Sequence, residues 1–164
     1  MKTAIIYYSM LGNTDYAAGK IAEELRKSGE VDLVRIEPEE AYPDKGAKKF
    51  LWGGKSALMG EKPALKPYTL DLDQVDRVII GTPVWASTFT PPIRTLVDEN
   101  PGLANKTVGI FTCLSGSGAN KTIAKLKAYL GIETLPAELI LFDPKDRPKP
   151  ENDEKIAAFC AALA

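Results

Sequence analysis

The sequence predicts an α/β fold of the doubly wound kind: a three-layer sandwich with a five-stranded parallel sheet between two layers of helices. Three observations lead there. Five short apolar runs of strand length alternate with longer segments whose apolar residues recur at three- and four-residue spacing. The clearest of these runs is apolar throughout rather than at every second residue, as in strands covered on both faces. Strands joined by crossover helices pair in parallel, with helices on both sides of the sheet.

The elements follow in order. Residues 4–8 read as a buried strand that ends in the turn Ser9-Met10-Leu11-Gly12. Asn13 or Thr14 is placed to cap the next helix, where Ala17, Ala18, Ile21, Ala22 and Leu25 share one face and Ser28-Gly29 ends it. Residues 32–36 form the second strand. The stretch 37–69 breaks the alternation: it is rich in Lys, Pro and Gly yet carries Phe50, Leu51, Trp52, Leu58 and Met59. A connection this long is usually functional or hides an element, and 48–58 suits a short helix with Trp52 as a packing residue.

Residues 77–82, with Val78-Ile79-Ile80 at the centre, are the clearest buried strand. Pro91-Pro92 fits the first turn of a helix carrying Ile93, Leu96 and Val97. Residues 107–112 form the fourth strand, and after a Gly/Ser loop Asn120 starts a helix with Ile123, Leu126, Tyr129 and Leu130. Residues 138–142 are the last strand. Pro144, Pro148 and Pro150 punctuate the loop before a terminal helix over 151–163, in which Cys160 shares a face with Ile156, Ala157 and Leu163.

Composition narrows the function. The chain has 164 residues, which at ~150 residues per domain suggests a single domain over 1–164. It contains 0 His, so no Ser-His or Cys-His nucleophile and no histidine metal site can exist. Two cysteines are too few for a thiolate zinc site, so no metal is expected, and Cys113 and Cys160 read as reduced thiols. Lys+Arg at 21 against Asp+Glu at 22 lacks the basic excess of a nucleic-acid binder. No apolar run approaches the ~18 residues a membrane span needs, and the first residues read as a strand rather than an export signal. A cytoplasmic protein is expected.

In open parallel sheets, ligands bind beyond the carboxyl ends of the strands at the topological switch point. Three loops rich in small, hydroxylated or glycine residues leave such ends, over 9–14, 82–88 and 113–118. In the first, Ser9, Asn13 and Thr14 offer side-chain hydrogen bonds, and Gly12 permits close backbone approach at a helix N-terminus, together an anion cradle. The cradle has no Lys or Arg, which suits one phosphate monoester rather than a triphosphate. The same residues also make an ordinary strand–helix turn. The second loop sets Trp85 just past a strand end, where a Trp packs or stacks on a planar ligand. The third offers backbone N–H groups. Gly54-Lys55-Ser56 imitates the end of a triphosphate loop, but Lys49 stands where that motif needs Gly and no strand precedes it.

Phosphate at one end, a flat ring at the other and amides along its edge are the layout of a flavin mononucleotide. Ser9-Met10-Leu11-Gly12-Asn13-Thr14 resembles the flavodoxin phosphate loop, Ser/Thr-x-Thr-Gly-Asn-Thr. Gly81-Thr82-Pro83-Val84-Trp85 is similar to the third-strand end of flavodoxin-like proteins that set an aromatic beside the isoalloxazine, and 113–118 corresponds to the third flavin loop. The resemblance spans essentially the whole chain and implies the short-chain flavodoxin-like strand order 2-1-3-4-5, with FMN as cofactor.

The resemblance further implies that Ser9, Gly12, Asn13 and Thr14 bind the phosphate, with Met10 and Leu11 in the same loop. Thr82, Pro83, Val84, Trp85, Ala86, Ser87 and Thr88 would flank the ring, Trp85 stacking on it. Cys113, Leu114, Ser115, Gly116 and Gly118 would approach its pyrimidine end through backbone groups. The flavin would carry the redox chemistry without a catalytic acid or base from the chain. Two roles follow: an electron carrier between redox partner proteins, or an FMN-dependent oxidoreductase passing electrons from NAD(P)H to quinones or similar small acceptors. In the second, 37–69 would form a substrate lid or dimer surface.

Overall fold

A computed structural model describes the backbone of residues 1–43 and 46–164, and side chains outside 44–51. Asp44 and Lys45, in the middle of the long connection, lie outside the described residues. The sheet has five strands in the order 2-1-3-4-5, every neighbouring pair parallel. They are β1 (Lys2–Tyr7), β2 (Glu30–Arg35), β3 (Arg77–Pro83), β4 (Thr107–Leu114) and β5 (Ala137–Phe142). The helices are α1 (Asn13–Leu25), α2 (Gly46–Leu58), α3 (Pro91–Glu99), α4 (Ala119–Leu130) and α5 (Glu151–Ala162).

Alternation along the strands divides the core into two faces. Ile5, Tyr7, Ile79, Phe111, Leu139 and Leu141 meet α1 and α5 through Ala17, Ile21, Leu25, Ile156 and Phe159. Ala4, Ile6, Val78, Ile80, Val108 and Ile110 point the other way, against Ile93 and Leu96 of α3 and Ile123 and Leu126 of α4. Cys160 is buried with Ile156 and Leu163 on the first face, as expected, whereas Ala157 is exposed and Phe159 takes its place there; both cysteines are free thiols. The packing at mid-sheet is tight: a Cβ on Gly81 would stand 2.2 Å from the Phe111 ring. At the opposite rim, buried Arg77 donates to the Thr3 hydroxyl at 2.6 Å and to the Leu163 carbonyl at 2.8 Å, joining two strands to the chain's last turn.

Pairing moves several predicted boundaries. β2 begins two residues earlier than expected because Lys2 pairs with Glu30, and Ile36 falls just beyond it as a buried residue. β4 runs to Leu114, so Cys113 and Leu114 are the end of a strand rather than the start of a loop. α4 begins at Ala119, capped by Gly118, one residue before Asn120. The helix expected over 48–58 exists and starts at Gly46, but Trp52 is 50% exposed rather than packed, with Lys55 Nζ 5.7 Å from its ring. Among the described residues, no helix is long and apolar enough to cross a membrane.

Candidate functional site

Parallel pairing brings the carboxyl ends of β1, β3, β4 and β5 to one rim: Tyr7 pairs with Gly81, Pro83 with Cys113 and Leu114 with Phe142. A cleft of about 610 Å³ opens there. That size falls within the ~300–1,000 Å³ usual for small-molecule sites.

At one end lies the loop between β1 and α1. The Ser9 Oγ accepts from the N–H groups of Gly12 and Asp15, both at 3.2 Å. Gly12 turns the chain at φ 97, a left-handed conformation that glycine adopts without steric penalty. Gly12 is the N-cap of α1, without a side-chain cap; neither Asn13 nor Thr14 takes that place. The cap moves because the loop is closed by Ser9 from behind, and Asn13 is already the first helical residue. Its side chain turns to the segment after β5: Oδ1 accepts from the Lys145 N–H at 2.9 Å and Nδ2 donates to Asp146 Oδ2 at 3.0 Å. Arg35 at the end of β2 donates to the Ser9 carbonyl at 3.1 Å and pairs with Asp15 at 3.5 Å and Glu37 at 3.3 Å. Asp15 also accepts from the Tyr7 hydroxyl, which, with burial, raises that phenol's pKa.

A tight turn after β3 makes the opposite wall. Trp85 and Thr88 exchange backbone hydrogen bonds at 3.0 Å, leaving Ala86 and Ser87 as central residues with φ 51 and 58. Half-buried Trp85 meets Tyr8 and Tyr42 edge-on at centroid distances of 5.7 and 5.3 Å, and a Cβ on Gly53 of α2 would lie 3.1 Å from its ring. Burial raises the Tyr8 and Tyr42 pKa values, the latter to about 12, so both phenols stay neutral. Thr82 is wholly buried beneath the turn; its Oγ1 donates to the Pro83 carbonyl at 2.8 Å and accepts from the Thr90 N–H at 3.1 Å.

The third wall is the loop after β4. The Ser115 hydroxyl donates to Asp143 at 2.7 Å, and Arg147 pairs with the other oxygen of that carboxylate at 2.9 Å. Cys113, on the floor, is 4% exposed, and burial pushes its thiol up to about 12 against the opposing hydrogen bond from Thr14. It is a small packed side chain and not a thiolate nucleophile.

Of the residues singled out from the sequence, Ser9, Met10, Leu11, Asn13 and Thr14 line the cleft. So do Pro83, Val84, Trp85, Ala86 and Ser87, and from β4 and its loop Cys113, Leu114, Ser115 and Gly116. Gly12, Thr82, Thr88 and Gly118 are not in the lining and shape it from behind. Ser117, inside the 113–118 loop, lines the cleft too; sequence reasoning missed Gly54 of α2 and a fourth wall formed by Asp143, Asp146 and Arg147. The signal for the fourth wall was available: β5 is also a parallel strand, so the loop leaving it opens on the same rim.

Comparison with known proteins decides the family. Residues 1–159 match the family described as NADPH-dependent FMN reductase. The chain belongs to the NADPH-dependent FMN reductase family. Among solved structures, a Lactobacillus acidophilus flavoprotein in complex with FMN is 22% identical, with 94% of this chain and 97% of that one covered and a TM-score of 0.71. A flavodoxin from Streptococcus pneumonia TIGR4 is 18% identical over 99% of this chain and 97% of its own, with a TM-score of 0.59. In the rubredoxin oxygen:oxidoreductase of Desulfovibrio gigas, 99% of this chain matches 35% of that one at 21% identity and a TM-score of 0.65. The fold of this family member is thus the flavodoxin-like one expected from the sequence, with the same strand order.

Proposed function

We propose that this member of the NADPH-dependent FMN reductase family binds FMN in the rim cleft and acts as an NAD(P)H oxidoreductase toward a small acceptor such as a quinone. One observation carries the reading: a helix N-terminus with its glycine turn and an indole wall face one cleft from opposite ends. The residues present suit the group. Of the first-turn N–H groups of α1, that of Asp15 is taken by Ser9 Oγ, which leaves those of Asn13 and Thr14, with the Ser9 and Thr14 hydroxyls close by, as a donor set for a single phosphate. Of the two carboxylates in the wall, Asp143 is charge-paired with Arg147 and accepts from Ser115, while Asp146 is hydrogen-bonded by the Asn13 amide.

In this reading, Trp85 and the 86–87 turn orient the flat ring, with Tyr8 and Tyr42 bracing the indole from behind. Leu114 and the 115–117 loop lie along the ring edge, and Met10 and Leu11 help exclude water. The chemistry that bound FMN supplies is acceptance of a hydride from NADPH and its delivery to a second acceptor. No residue of the cleft has to move a proton, and Cys113 stays protonated throughout.

The test is direct. Purified full-length protein, saturated with FMN, is mixed with NADPH and a quinone, and NADPH absorbance is followed. Steady turnover supports the reading. An FMN-loaded protein that leaves NADPH untouched turns the assignment to the second role, an electron carrier between redox partner proteins, for which the likeness to the Streptococcus flavodoxin speaks. FMN whose fluorescence stays unquenched in the presence of the protein overturns both.

A further inference from the structure

The loop between β1 and α1 holds no basic residue, yet the fold brings one to it from far along the chain. Lys145 Nζ stands 2.9 Å from the place a Cβ on Gly12 would occupy, and its Cδ stands 3.5 Å from it. The ammonium therefore rests on the glycine that turns the loop. It is held there through the backbone: the Lys145 N–H donates to Asn13 Oδ1 at 2.9 Å, while Asn13 Nδ2 binds Asp146 at 3.0 Å. Two of the carboxylates near it are paired, Asp143 with Arg147 and Asp15 with Arg35; Asp146 accepts only from the neutral Asn13 amide and keeps its charge. Among the described residues, no ion pair uses Lys145.

We propose that Lys145 is the counter-charge that makes the cleft prefer a phosphorylated flavin to its unphosphorylated parent, and that Asn13 is the positioning residue that sets Lys145 over the loop. The inference rests on the FMN reading above and goes beyond it in assigning two roles. The Asn13 side chain serves to position Lys145 rather than to bind the phosphate, because both ends of its amide are spent on the 145–146 backbone and carboxylate; its backbone N–H stays among the first-turn donors of α1. The positive charge comes from the loop after β5, which the composition of the phosphate loop alone does not reveal. A neutral cradle of amides and hydroxyls holds a phosphate by hydrogen bonds only; an ammonium beside it adds attraction that depends on the ligand's charge and on salt.

Flavin-free full-length protein is titrated with FMN and separately with riboflavin, following flavin fluorescence. Lys145→Gln is expected to weaken FMN about two- to fivefold, the size of one exposed charge contact, and to leave riboflavin unchanged. Lys145→Arg keeps FMN affinity within about twofold, and the steep decline of wild-type FMN affinity with added salt becomes shallower in Lys145→Gln. Asn13→Ala weakens FMN in the wild-type background and much less in the Lys145→Gln background. Equal losses for both flavins, or loss of neither, overturn the role of Lys145 while the FMN reading stands. An Asn13→Ala loss of the same size in both backgrounds overturns the positioning role. Wild-type protein that quenches neither flavin removes the FMN reading and the inference with it.

Discussion

The two ends of the cleft are built on opposite principles. The turn at Gly12 and the N-cap at Gly118 both have φ close to +100, and both are glycine, so the backbone there is relaxed. The 86–87 turn uses Ala and Ser at φ 51 and 58, where the left-handed region costs a side-chain-bearing residue about 1 kcal/mol or more. The end that the proposed reading gives to the phosphate is organised by hydrogen bonds from side chains, Ser9, Asn13 and Arg35. The ring end is organised by contact: Tyr8, Tyr42 and Gly53 against Trp85, and Gly118 against Ser87. An end that must hold a charge gains from directed donors. An end that must hold a flat apolar surface needs a stiff wall, and packing supplies one even at some conformational cost.

The same substitution at the two glycines tests this contrast most sharply. A Cβ on Gly118 would lie 2.5 Å from the Ser87 Oγ and 2.9 Å from its Cα, so backbone has to move as well as φ. At Gly12 the obstacle is the far end of a flexible lysine at 2.9 Å. Gly118→Ala is therefore expected to cost roughly 3 kcal/mol, from left-handed strain plus overpacking. Gly12→Ala should cost only about 1–2 kcal/mol, from strain alone. Thermal unfolding measures both, and equal shifts in Tm would show that the ring end is no stiffer than the phosphate end.

Next in size is the indole. Trp85→Ala removes a half-buried ring held by two edge-on aromatics and by Gly53, and should lower stability by about 2–3 kcal/mol in chemical denaturation. Trp85→Phe should recover most of that. If the wall also orients the flavin, FMN affinity falls in step with stability at this residue, whereas Lys145→Gln changes affinity without touching stability.

How much of this was legible in the sequence follows from distance along the chain. The apolar runs at Ile5-Ile6 and Val78-Ile79-Ile80 announced central strands because burial on both faces demands uninterrupted apolar residues. The 9–14 and 82–88 loops were legible because each motif lies within a few residues. Gly54 reaches the cleft through a helix in the long connection and Asp146 is held by Asn13 more than a hundred residues away, so neither shows in a local motif; Asp143 and Arg147 could be placed only from the direction of β5, since no local motif marks them. The cap of α1 was misplaced for a local reason: Asn13 and Thr14 are good capping residues, but Ser9 already serves the Asp15 N–H, and the tertiary partner in 145–146 takes the Asn13 amide.

Cys113 links the two ends, since it lines the floor between them and its thiol meets Thr14 of the phosphate loop. In the folded protein its pKa is pushed up to about 12; in the unfolded chain it titrates near 9.0. Between those values the folded state binds more protons than the unfolded one, so stability falls as pH rises, by up to about 1.4 kcal/mol per unit. The expected loss at pH 10 is about 1 kcal/mol, and urea unfolding at pH 8 and pH 10 measures it. Cys113→Ala should remove its share of that decline, leaving that of Cys160, whose thiol burial raises to about 11, while lowering stability at pH 8 through the lost packing. An unchanged decline would mean that Cys113 is not the group responsible.

The smallest expected effect is also the most discriminating for the ring end. Two-residue turns of this kind favour Asn-Gly, because glycine enters the left-handed region freely. Here Ala86 is exposed, so little packing is lost on removing its methyl group. Ala86→Gly should therefore release strain that outweighs the added freedom of the unfolded chain, a gain of about 0.5–1 kcal/mol and a Tm higher by about 2 °C. FMN affinity should fall slightly at the same time, because a glycine there lets the turn leave the conformation that faces the ring. Stability rising while affinity drops is the signature of strain kept for the sake of the wall. A variant that loses stability would show instead that the Trp85–Thr88 hydrogen bonds hold the turn without strain, and that the two ends differ only in their partners.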